Sequence, residues 1–246
     1  MATSRNGLAE AVRNAVRHFW RTRDRQARAQ GATSGKRDHG ARSAVTGGAQ
    51  LDGFAELLRD LVVDAGISAS AVYRRARVEL PGYYRAEKRW DLLIVADGRL
   101  IAAVEFKAHV GPSFGNNYNN RAEEAIGSAT DYWAAYREGA FRSSPKPWLG
   151  YFMLLENAPG STQAISNAEP HFPVFEEFRG ASYVRRYEIL LTRMVRDRLY
   201  DAACLILSSR DAARTGAFCE PCEEISFANF AEALVARAIA YSRTRM

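Results

Sequence analysis

Apolar residues first recur at helical spacing over residues 5–29, where Leu8, Val12, Ala15, Val16 and Phe19 form one stripe. Residues 31–50 lose all periodicity and place Gly31, Gly35, Gly40, Gly47 and Gly48 among Ser, Thr, Ala and Arg, the pattern of a flexible loop or linker. Helical spacing returns with Phe54, Leu57, Leu58, Leu61 and Val62. Residues Val78 to Tyr84 then read as a strand bent at Pro81-Gly82. Residues 91–96 and 100–106 are short apolar runs around Asp97-Gly98, a hairpin signal, and their near-continuous apolarity predicts strands buried on both faces. Asn119 to Glu138 follows as a helix with Ala122, Ile126, Ala129, Trp133 and Tyr136 at helical spacing, and Trp148 to Leu155 as another buried strand. The helix between strands 100–106 and 148–155 makes a crossover, so those two strands are expected to be parallel. Residues 181–200 read as a helix, 202–207 as a strand, and 226–243 as a closing helix that Ser226 caps. The chain is thus expected to be α/β, with a mixed β-sheet containing an antiparallel hairpin and a parallel crossover strand, flanked by helices.

Composition narrows the class. Of 246 residues, 47% are hydrophobic and 25% charged, an ordinary globular mixture. No apolar run approaches the roughly 18 residues of a spanning helix, and three Cys cannot build a disulfide framework, so no membrane association and a cytoplasmic, reducing setting are expected. Cys219-Glu-Pro-Cys222 is a lone CxxC and poor evidence for zinc. The formal charge of +6 suits a polyanionic partner. Arg13, Arg17, Arg21, Arg25 and Arg28 give the first helix a basic face, which fits a DNA backbone and fits a solvated surface equally well.

Lysine is scarce. Only Lys36, Lys88, Lys107 and Lys146 occur, and only Lys107 has an acid two residues before it, Glu105. A strand alternates faces, so Glu105 and Lys107 project together while Phe106 enters the core. Asp91 opens the partner strand. A three-residue loop with Gly98 left-handed, or an equivalent bulge, sets Asp91 directly across from Glu105, whereas a plain two-residue loop sets it across from Val104. Two facing carboxylates repel unless a cation lies between them, and such oxygen donors suit Mg²⁺. The backbone carbonyl of Phe106 is a candidate third ligand. Lys107 can hold an attacking water or stabilise charge on a phosphate. This is equipment for hydrolysing a phosphodiester.

The set resembles the PD-(D/E)xK nuclease superfamily, with Asp91, Glu105 and Lys107 in the motif roles and Trp90 where Pro is nominal. In that superfamily an acid on the first core helix often joins the site; Glu56 is the candidate, with Asp52, Asp60 and Glu10 as competitors. A closer resemblance runs from Arg89-Trp-Asp-Leu-Leu-Ile through Glu105-Phe-Lys and Gly111-Pro-Ser-Phe-Gly-Asn-Asn-Tyr-Asn-Asn-Arg, and again from Phe172-Pro-Val-Phe-Glu-Glu-Phe-Arg to Tyr187. These stretches are similar to the XhoI-type restriction endonucleases. The resemblance implies a restriction-endonuclease-like core and a homodimeric, Mg²⁺-dependent enzyme that cuts double-stranded DNA at the palindrome CTCGAG after its first C. It also implies a companion DNA methyltransferase acting on the same site. The chain then reads as a single nuclease domain over 1–246, with 1–30 a basic helix, 31–50 a loop and 51–246 the catalytic core.

Residues 111–121 follow the active-site strand at once and are expected to form a loop near the DNA. Asn116, Asn117, Asn119 and Asn120 suit adenine and Arg121 suits guanine, with Tyr118 between them. Gly and Asn also fill loops for backbone reasons, and Asn120 alone would cap the following helix. Arg185, Arg186, Arg193, Arg196 and Arg198 are further basic candidates that cannot share one helix face, and His109 lies close enough to Lys107 to reach a phosphate. Two other readings stand beside the restriction enzyme: a structure-selective repair or recombination nuclease, and a non-catalytic DNA-binding protein on the same scaffold.

Overall fold

Alternation along the strands sorts side chains onto two cores. Leu92, Ile94, Val104, Phe106, Phe152, Leu154, Cys204 and Ile206 point to one face of a sheet, and Leu93, Ala103, Tyr151, Met153, Leu155, Leu205 and Leu207 to the other. The structure, a computed structural model, describes residues 5–33, 48–142 and 144–244. Most of the predicted loop 31–50 lies outside these residues; its end, Ala49–Leu51, is a turn of 3-10 helix with Gln50 and Leu51 buried.

The sheet has five strands: β1 (Val72–Arg74), β4 (Leu92–Ala96), β5 (Arg99–His109), β6 (Trp148–Glu156) and β7 (Ala202–Ser208), in that spatial order. Pairing is antiparallel from β1 to β5 and parallel from β5 to β7. Helices α1 (Arg5–Thr33), α2 (Asp52–Asp64) and α7 (Phe227–Arg243) pack on one face; α3 (Phe114–Arg137) and α5 (Tyr183–Arg196) pack on the other. Two short helices, α4 (Pro159–Thr162) and α6 (Ala212–Thr215), complete the helical set. The Ser226 side chain accepts the Asn229 amide and caps α7, as its position predicts. The expected bent strand at 78–84 is instead half of a separate antiparallel ribbon, β2 (Glu79–Pro81) with β3 (Glu87–Arg89).

The hairpin between β4 and β5 takes the bulge, the second of the two expected forms, rather than the longer loop. Ala96 pairs with Arg99, so the loop has two residues, and Asp97 (φ 51°) and Gly98 (φ 72°) both adopt the left-handed conformation that such a turn needs. The offset comes from a β-bulge: Ile94 pairs with Ala102 but Val95 with Leu100, leaving Ile101 as the extra residue. The register ends at Leu92 opposite Val104; Asp91, one residue beyond, reaches β5 through its amide to the Val104 carbonyl and its carboxylate to the Phe106 amide.

A second correction concerns α3. It starts at Phe114 behind Ser113, five residues before the expected Asn119, so residues 114–121 are helix and Asn120 is no cap. The predicted apolar stripe is also rotated, since Ile126 is exposed while Phe114, Tyr118, Ala125 and Tyr132 are buried. No helix among the described residues is long and apolar enough to cross a membrane.

Candidate active site

Asp91 stands one residue before β4. Its amide donates to the Val104 carbonyl (3.3 Å), and its Oδ2 accepts the Phe106 amide (2.7 Å). Phe106 is turned into the core, which sends Glu105 and Lys107 to the opposite face. Glu105 is 4% exposed and sits between two cations. Lys107 pairs with its Oε1, and Lys88 Nζ lies 2.8 Å from its Oε2. Lys88 comes from β3 and rests over the ring of the buried Trp90, 4.6 Å from the centroid.

Charge and dehydration work against each other here. Burial alone would raise the Glu105 carboxyl, but the Lys107 and Lys88 ammoniums overcome it and the net direction is down. Burial would depress Lys107, yet the Glu105 carboxylate holds its ammonium above the usual lysine value. Asp91 lines the cleft with an exposed edge, while the chain packs closely around its carboxylate. Dehydration, then the Glu105 charge, push it up to about 6, against the Phe106 amide and the two ammoniums. Among the described residues no group of three or more His, Cys, Asp and Glu side chains gathers at one point. Asp91 and Glu105, close enough for one charge to act on the other, are a two-carboxylate donor set, which fits a hard divalent ion that keeps most of its waters.

The site floors a cleft of about 1140 Å³. Its walls carry Arg23, Arg74, Arg75, Arg89, Lys107 and Arg121 against only Asp52 and Asp91, a surplus of positive charge at the acid pair. Glu56 does not line this cleft; its side chain is 62% exposed and pairs with Arg74 at 3.4 Å. Asp52, one turn earlier on α2, does line it and pairs with Arg74 and Arg75.

The proposed base-reading residues divide on the α3 helix. Asn117 and Arg121, one turn apart, face the cleft. Asn116, Asn119 and Asn120 are exposed but do not line it. Tyr118 is buried and its hydroxyl donates to the Arg186 carbonyl, so it belongs to the core rather than to a contact surface. His109 is also inward, 2% exposed. Its Nε2 meets the Ser113 carbonyl (3.1 Å) and its Nδ1 the Tyr187 hydroxyl (2.7 Å). Because a carbonyl only accepts, Nε2 carries the hydrogen and Nδ1 accepts from Tyr187. Dehydration lowers the His109 pKa and favours that neutral ring, which moors the start of α3.

Other basic candidates have structural employment. Arg17 and Arg21 donate to the carbonyls of Thr215 and Ala213, tying α1 to α6. Arg185 pairs with Glu188, Arg193 with Glu177 and Arg196 with Glu224. The cation that α1 does bring to the cleft is Arg23, which sequence reasoning missed, as it missed Lys88. Lys88 had a signal: it is one of four lysines in an arginine-rich chain, and it stands three residues before Asp91.

Comparison with known proteins gives a consistent result. The sequence model of the family described as "Restriction endonuclease XhoI" matches residues 30–220. The chain is 49% identical over 207 residues to the type II restriction enzyme BstVI of Geobacillus stearothermophilus, covering 82% of this chain and 92% of that protein. It is 49% identical over 162 residues to the type II restriction enzyme AbrI of Azospirillum brasilense, 65% of this chain and 72% of that one. It is 47% identical over 158 residues to the type II restriction enzyme XhoI of Xanthomonas vasicola, 63% and 64% of the two chains. No solved structure matches. A mixed sheet with this hairpin, a basic cleft over its acid pair and these matches together place the chain in the XhoI restriction endonuclease family, as a type II site-specific deoxyribonuclease.

Proposed function

We propose that this chain is a Mg²⁺-dependent homodimer that cuts double-stranded DNA at CTCGAG after the first C, with Asp91, Glu105 and Lys107 as its catalytic set. The observation that carries the reading is that the Phe106 amide holds Asp91 beside the buried Glu105–Lys107 pair, with Asp91 and Lys107 lining a basic cleft. Asp91, Glu105 and the Phe106 carbonyl are the protein ligands for the ion. When bound, the ion supplies charge neutralisation at the scissile phosphate and lowers the pKa of a coordinated water. Lys107 orients the attacking water and balances charge gathering on the phosphate. Asn117 and Arg121 enter the major groove from α3, Asn suiting adenine and Arg guanine, both of which CTCGAG contains. A palindrome has a twofold axis, so two identical subunits each cut one strand. A companion methyltransferase modifying the same sequence would protect the host.

The test is digestion of a sequenced plasmid with Mg²⁺ and mapping of the fragment ends. Discrete fragments ending within CTCGAG are expected, and cleavage confined to another sequence overturns the specificity. Lys107→Ala and Asp91→Ala should abolish cleavage while the thermal melt stays cooperative; cutting retained by either variant removes the site assignment.

A further inference from the structure

Lys88 is not part of the motif, yet its ammonium pairs directly with Glu105. Its Nζ is 2.8 Å from Oε2, while Lys107 takes Oε1, so both oxygens of the carboxylate are already paired with ammoniums. The position is built rather than incidental. Lys88 is 13% exposed, lies over the Trp90 ring and reaches the Arg89 carbonyl at 3.4 Å. Its strand belongs to the β2–β3 ribbon, whose tip is anchored to α3 where buried Asp131 accepts the Tyr83 and Tyr84 amides (2.8 Å each) and pairs with Arg85.

The charges decide what this does. Asp91 and Glu105 bring two negative charges, and Lys88 and Lys107 bring two positive ones. These four groups balance with no ion among them, and the cleft arginines add only positive charge. Adding a divalent cation alone leaves excess positive charge beside the buried Glu105, and Oε2 must first lose Lys88. A phosphate of the duplex restores negative charge and offers the displaced ammonium a new partner. We propose that Lys88 is a positioning residue that ties divalent-ion binding to DNA binding, by holding Glu105 Oε2 until a phosphate enters the cleft. This rests on the metal-site reading above. It accounts for why a lysine is delivered here by an element outside the main sheet.

The experiment measures Ca²⁺ affinity by calorimetry, for the protein alone and for its complex with a short duplex containing CTCGAG, with strand integrity checked on a gel. Calcium is chosen as a hard cation that takes oxygen ligands. For the parent, binding should be at least about tenfold tighter with duplex than without, because coupling between two ligands is reciprocal. Lys88→Met should tighten Ca²⁺ on the free protein about tenfold and on the complex less than about threefold, shrinking the coupling. Lys88→Arg, which keeps the charge, should behave like the parent, and Lys88→Gln with a melting curve covers the case in which the Met variant misfolds. Free-protein affinity that is unchanged or weakened in both neutral variants, or tightened equally with and without DNA, overturns the proposal. Asp91→Asn separates the two readings. If it keeps parental Ca²⁺ binding, the metal site itself is wrong and Lys88 falls with it; if it loses Ca²⁺ while Lys88→Met changes nothing, only the role of Lys88 is wrong.

Discussion

Asp91, proposed above as a metal ligand, is a carboxylate held where its surroundings disfavour its charge. Dehydration and the nearby Glu105 charge raise its pKa from the 3.8 of a free aspartate to about 6. The folded-state value lies above the unfolded one, so the folded protein holds this proton more tightly. That contribution is complete below about pH 4 and is lost as pH rises through about 6. Above that pH the ion-free protein carries a carboxylate its surroundings disfavour. Asp91→Asn keeps an oxygen for the Phe106 amide and removes the charge. It should therefore raise Tm by about 2–4 °C at pH 7.5, equivalent to about 1 kcal/mol once screening by the open cleft is allowed for. The gain should disappear near pH 4. Melting curves of both proteins across this range, without divalent ions, test it; an Asn variant less stable than the parent at pH 7.5 would show that Asp91 is held as a favourable anion.

At the level of elements, strand burial and pairing were legible in the sequence because apolar runs and their spacing report them directly. The need for an offset between β4 and β5 was also legible, since Asp91 can face Glu105 only with one extra residue in the hairpin. Where that residue sits was not. Asp-Gly satisfies a two-residue turn so well that the surplus is absorbed at Ile101 inside the strand. The start of α3 was hidden for another reason. Gly115, Asn116, Asn117, Asn119 and Asn120 are weak helix formers, and tertiary contacts override them: Phe114 and Tyr118 are buried, and His109 fixes Ser113. Nothing in helical spacing distinguishes Asp52 from Glu56, four residues apart on one stripe of α2; Arg74 pairs with both, and only Asp52 also pairs with Arg75 and lines the cleft. One strand position does carry a sharp packing requirement. A Cβ at Gly150 would lie 2.4 Å from the Trp148 ring and 2.8 Å from Phe230. Gly150→Ala should thus destabilise the fold by about 1–3 kcal/mol through overpacking. Denaturant unfolding with an unchanged midpoint would mean that the Trp148 ring moves aside without cost.

For the molecule as a whole, the sign of the charge matters less than its placement. A net +6 spread evenly would give weak, undirected attraction, whereas the cleft concentrates Arg23, Arg74, Arg75, Arg89 and Arg121 around an acid pair. Several of these arginines are already engaged: Arg75 with Asp52, Arg89 with Glu79 at 2.9 Å. Their side chains are nonetheless 73% and 60% exposed, so such pairs are readily exchanged for phosphate. Each arginine that neutralises a phosphate releases a counterion, which steepens the fall of affinity with salt by about 0.9 per contact. Arg75→Ala and Arg89→Ala should each flatten the plot of log affinity against log salt by about that amount, on a duplex lacking the recognition sequence. Lys146 provides the contrast, since it is equally cationic but pairs with Asp201 at 2.8 Å and does not line the cleft. Lys146→Ala should leave the slope as it is. Parental slopes in both arginine variants would place the duplex elsewhere on the surface, and a flattened slope in the lysine variant would show that general charge, rather than this cleft, draws the DNA in.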